Sequence, residues 1–66
     1  MYVRYVISLE AQPLYFEGAY GDPQYAQFTP DWRQADTFIT SDAASAQIRE
    51  IEHLNHDLVI VRMMGD

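Results

Sequence analysis

His53, His56 and Asp57 are the only residues of this chain with a metal-like spacing. Two histidines three residues apart can share one face of a helix, as a zinc site would need. Asn55 stands between them as a helix terminator, and no third ligand lies at a matching interval. The pair therefore marks a solvated helix end, where an imidazole complements the dipole. Nucleophilic chemistry has no better candidate. Cysteine is absent, and Ser8, Ser41 and Ser45 lack the glycine-framed turn that exposes a hydrolase serine. The expectation is no catalytic group, no metal and no cofactor.

Carboxylates are what remain. Ten Asp and Glu face four cations, all of them arginine, for a net charge of −6. That balance argues against direct binding of nucleic acid, which wants basic surface to displace counterions. A shared surface of Glu10, Glu17, Asp22, Asp31 and Asp36 would instead suit the basic groove of another protein, which could read the carboxylates as phosphates. Such association is fast and salt-sensitive. A charge of this size also keeps an ordinary small domain soluble, so it permits that reading without requiring it. Tyr20 and Tyr25 lie in a loop-like stretch and complete the candidate partner-binding set. Rings of this kind equally serve to cap a thin core.

The totals bound the scaffold. Sixty-six residues with 48% hydrophobic and 14% aromatic content make one globular domain, residues 1–66. A chain this short buries only about 60% of the surface it exposes when unfolded, so it builds one thin core. Without cysteine it has neither a disulfide framework nor a thiolate zinc site. It is too short to enclose the ~300 Å³ of a usual ligand pocket, which also argues against an enzyme. The first ten residues carry a charge in their middle and lack a cleavage-site pattern, so no signal peptide is expected. No apolar run approaches the ~20 residues of a membrane span.

Several elements must position the candidates. Val3, Tyr5, Ile7 and Leu9 alternate with Tyr2, Arg4, Val6 and Ser8, the period of a half-buried strand. Leu14 to Glu17 predicts the return arm of a hairpin, broken by Gly18 and by Gly21-Asp22-Pro23. Ala19 to Thr29 fits either an irregular strand or a long loop. Thr29-Pro30-Asp31-Trp32 is a helix start of about one turn, with Trp32 packing on the hairpin and Phe38-Ile39 a second apolar anchor. Ser41 is the expected cap of a helix from Asp42 to about Leu54, with Ala44, Ile48, Ile51 and Leu54 on its buried stripe. Leu58 to Val61 is apolar on both faces, as a central strand would be, and Arg62 to Asp66 reads as a tail. The predicted fold is α+β: a three-stranded antiparallel sheet in β-β-α-β order, with one main helix on one face.

The order Tyr5-Val6-Ile7, Trp32, Ala35-x-x-Phe38, Ser41-x-x-Ala44 and Leu58-Val-Ile-Val resembles small phage- and prophage-encoded proteins. The stretch from Gly18 to Phe28 is longer than that pattern. In size, acidity and lack of a catalytic motif the chain also resembles anti-CRISPR inhibitors. That likeness implies a non-enzymatic protein of the bacterial cytoplasm, without membrane attachment. Its partner would be a host protein with a basic nucleic-acid-binding surface, such as a CRISPR effector subunit. The alternative is a phage structural or regulatory module that self-associates or binds another phage protein. A monomer or weak homodimer is expected.

Overall fold

The computed structural model describes residues 2–54 and 57–65. Its architecture is α+β with four strands: β1 (Tyr2–Leu9), β2 (Tyr15–Tyr20), β3 (Tyr25–Thr29) and β4 (Leu58–Gly65). They form one antiparallel sheet in the order β3-β2-β1-β4, and the single helix α1 (Ser41–Ile51) precedes β4. The expected three strands are therefore four. The extra one is β3, within the stretch from Ala19 to Thr29 that fits either an irregular strand or a long loop. Tyr25, Gln27 and Thr29 alternate with Ala26 and Phe28 there, and the second set packs on the core.

Two more expectations change. β2 does not stop at Gly18. Phe16 pairs with Phe28 and Gly18 with Gln27, so Glu17 is an extra residue in a β-bulge and the strand continues to Tyr20. Gly18 carries φ +143°, a backbone state that glycine adopts freely. β4 lies at the sheet edge rather than its centre, and it runs through the supposed tail to Gly65. Its apolar character on both faces has another cause. Leu58 and Ile60 pack on the core, while Met63 lines a groove on the opposite face. The interior strands are β1 and β2.

The core is Ile7, Phe16, Ala44 and Ile51, with Tyr5, Phe28, Phe38, Ile48, Leu54, Leu58 and Ile60 packed around it. Ala44, Ile48, Ile51 and Leu54 thus form the buried stripe that their spacing predicts. Phe38 joins this cluster, whereas Ile39 is 74% exposed and anchors nothing. β1 and β2 share only one registered pair, Ser8 with Tyr15. Where they part, the chain at residues 36–38 fills the gap. Phe38 exchanges backbone bonds with Tyr5 at 2.8 and 2.9 Å, and the Asp36 N–H donates to the Phe16 carbonyl at 3.0 Å.

The short helix start at Thr29 is a 3₁₀ turn, Trp32–Gln34, and its cap is Asp31, not Thr29. Thr29 Oγ1 instead accepts from the N–H of Asp31 at 3.2 Å, and so holds the capping residue rather than an amide of the turn itself. Trp32 does not pack on the hairpin: half of its surface is exposed, and it stands over β1 and β4.

Thr40, not Ser41, caps α1, because Thr40 is the last extended residue and its Oγ1 accepts from the Ala43 N–H at 3.1 Å. Ser41 occupies the first helical position. We expect Thr40→Ala to cost about 1 kcal/mol and Ser41→Ala a few tenths, read by urea unfolding. A larger loss for Ser41→Ala than for Thr40→Ala would return the cap to Ser41. Asn55, the expected terminator, and His56 lie outside the described residues.

Candidate partner-binding surface

Residues paired across antiparallel strands share a face, which divides the sheet cleanly. Ile7 with Ile60 and Phe16 with Phe28 lie under α1. The other face carries Tyr2 with Gly65, Arg4 with Met63, Val6 with Val61, and Tyr20 with Tyr25. No helix covers it. Trp32 and Thr37 instead line a groove there together with Val6, which is only 1% exposed. Tyr2, Tyr20, Tyr25 and Trp32 remain about half exposed, a density of aromatic surface typical of protein contacts.

The predicted set divides on this face. Tyr20 and Tyr25 face each other across the β2–β3 hairpin, ring centroids 6.3 Å apart and tilted by 52°. The Tyr20 ring folds back over Gly18, and its hydroxyl donates to the Glu17 carbonyl at 3.1 Å. The Glu17 carboxylate accepts from Gln27 Nε2. Asp36 is close enough to feel that carboxylate. Partial burial, then repulsion from Glu17, push the Asp36 carboxyl above its ordinary 3.8. Folding is therefore penalised by Asp36 at neutral pH, and the penalty fades as pH falls through its folded-state value towards 3.8.

The remaining carboxylates stand apart. Asp31 is held by Arg33, whose side-chain and backbone hydrogen bonds keep its carboxyl below the usual range. This 3.1 Å contact is the one ion pair among the described residues. Glu10 and Asp22 flank opposite ends of β2, about 20 Å apart at the strand rise. Glu10 follows β1, and its N–H donates to the Asp57 carbonyl at 2.7 Å. Of the five carboxylates, Glu17 and Asp36 are the two close enough to repel each other, while Glu10 and Asp22 lie towards opposite ends of β2.

Sequence reasoning passed over Tyr2, Arg4, Trp32 and Met63. With Val6 and Thr37 they line a groove of about 230 Å³, smaller than a usual small-molecule site but large enough for one side chain. The Arg4 guanidinium sits 4.7 Å over the Tyr2 ring, and its Nη1 donates to the Val3 carbonyl at 3.0 Å. A signal for this groove exists in the sequence. Tyr2 and Val6 occupy the β1 face opposite Ile7, where a solvated strand would carry polar residues.

Among the described residues no group of three His, Cys, Asp or Glu could hold a metal ion, and no helix is long and apolar enough to cross a membrane. His53 is exposed. Comparison of the chain with protein-family models, with curated proteins and with solved structures finds no match.

Proposed function

We propose that this domain is a non-catalytic recognition module that covers a basic surface on another protein. The partner with the fitting chemistry is a nucleic-acid-binding protein, and in the anti-CRISPR reading it is an effector subunit whose DNA-reading surface is occluded. The observation that carries the proposal is Glu17 with Asp36 beside the half-exposed tyrosines. These two carboxylates repel each other and have no ion-pair partner among the described residues. An arginine or lysine from a partner would relieve that repulsion. Tyr20 and Tyr25 offer such a cation ring faces as well as contact area. Arg33 has already claimed Asp31, which leaves Glu17 and Asp36 as the pair available to an incoming cation. The acidic net charge would steer the encounter.

The test is capture from a bacterial lysate on the immobilised domain at low and high salt. The wild type is set beside Glu17→Lys/Asp36→Lys and Tyr20→Ala/Tyr25→Ala variants. A nucleic-acid-binding protein should be retained at low salt, and its recovery should fall about tenfold or more on charge reversal. Recovery indifferent to both variants and to salt would remove the proposal.

A further inference from the structure

The two edges of the sheet are unequal. β3 offers five residues, whereas β4 offers eight and pairs with β1 along its whole length without a bulge. The direction of the β4 backbone groups follows from β1. Tyr5 gives its N–H and its carbonyl to Phe38, and the Leu9 N–H goes to Leu14, so odd-numbered residues of β1 point away from β4. Its even-numbered residues bond inward to Val59, Val61, Met63 and Gly65. Leu58, Ile60, Arg62 and Met64 must then direct N–H and carbonyl groups outward. No other backbone group among the described residues bonds to them.

An open edge of this kind is a template for another strand. Proteins usually guard it with proline, lysine, a bulge or a very short strand, and β4 has none of these. Its only charge is Arg62. In a chain of net charge −6, β4 is a line along which two copies can meet without opposing carboxylates.

We propose that β4 pairs antiparallel with β4 of a second copy, joining the two four-stranded sheets into one. The choice of a second copy comes from register. With the two-fold axis at Val61, Leu58 faces Met64 of the second copy and Ile60 faces its Arg62. Every outward group is then used, in four facing pairs that exchange two bonds each. A register centred on Arg62 sets two like charges directly opposite, which is unfavourable. One centred on Ile60 leaves Met64 unpaired. The Val61 register makes the most bonds and keeps the arginines apart. It uses the sheet edge, not the tyrosine-bearing face, so it stands or falls independently of the recognition function.

Because the chain has no cysteine, a single introduced one reports the register. In the proposed dimer the two Val61 residues form a non-hydrogen-bonded pair, with Cα atoms about 4.5 Å apart, within disulfide reach. Val61→Cys should form a disulfide-linked dimer on mild oxidation at least tenfold faster than Val59→Cys, whose residue faces Met63. Light scattering of the wild type over a concentration series should show the mass rising to twice that of one chain. Arg62→Pro removes only an outward N–H and should stay folded by circular dichroism while self-association weakens tenfold or more. A monomeric mass at every concentration would overturn the proposal. So would equal cross-linking at Val59 and Val61, or a dimer that a folded Arg62→Pro variant retains.

Discussion

Phe16→Ala should remove about 3–5 kcal/mol, a large part of the domain's stability at 25 °C. The ring is 1% exposed and meets Phe28 edge-on, centroids 6.0 Å apart, within the cluster formed by Ile7, Ala44 and Ile51. Truncating a buried phenylalanine costs about 3–5 kcal/mol, from lost transfer energy plus the cavity left behind. At about 0.05–0.15 kcal/mol per residue, the whole chain has roughly 3–10 kcal/mol of stability to lose. A thin core offers few neighbours that could collapse into the space. Phe16 also sits where the sheet opens, its carbonyl accepting from the Asp36 N–H. The loss should therefore loosen the inserted segment as well as the core. Phe16→Leu keeps most of the volume and should remain folded. Urea unfolding followed by circular dichroism decides it: a loss for Phe16→Ala below about 1 kcal/mol would show that the core does not centre on this ring.

Gly18→Ala should cost about 1–3 kcal/mol, a large effect for one added methyl group. At φ +143° an L side chain is strained whatever space surrounds it. The new Cβ would also lie 2.5 Å from Tyr20 Oη and 2.6 Å from Cζ. That second cost is the smaller, because the ring end can swing outward. Combining the change with Tyr20→Ala separates the two contributions. The double variant should recover only the ring's share, leaving most of the loss in place. Full recovery would mean that the backbone at Gly18 carries no strain and the ring contact is everything. Displacing Tyr20 also frees the Glu17 carbonyl, so the same variant should disturb the recognition face.

The parts of the fold legible in the sequence were those where one period dominates. The strand β1 and the α1 stripe both followed from spacing, but the half-buried character expected of β1 did not hold, because Val6 and Ser8 on its second face are buried as well as Ile7. β3 was obscured because it is short and follows Gly21, Asp22 and Pro23, all turn formers. The place of β4 was hidden for a different reason. Apolar residues on both faces suit a central strand, but they equally suit an edge strand with a helix on one side and Trp32 near the other. Thr40 and Ser41 are both competent caps, and only the backbone angles decide between them. At the candidate site, residue types pointed to carboxylates and tyrosines but not to their grouping. Glu17 and Asp36 come near each other because the chain at Asp36 bonds to Phe16, beside the bulge that holds Glu17, neither of which spacing reveals.

That inserted segment bears on the order in which the molecule assembles. The β2–β3 hairpin joins residues close in sequence, so its closure is entropically cheap and it can form early. Pairing of β1 with β4 joins Tyr2 to Gly65 across nearly the whole chain, the most costly loop in the fold. Since β1 and β2 share a single registered pair, the hairpin gives β1 little to template on. The backbone bonds that Phe38 and Asp36 make to the two ribbons connect these early and late halves. The β1–β4 seam is thus the step expected to limit folding, and the hairpin is expected to open and close as a unit of its own once the segment between them lets go.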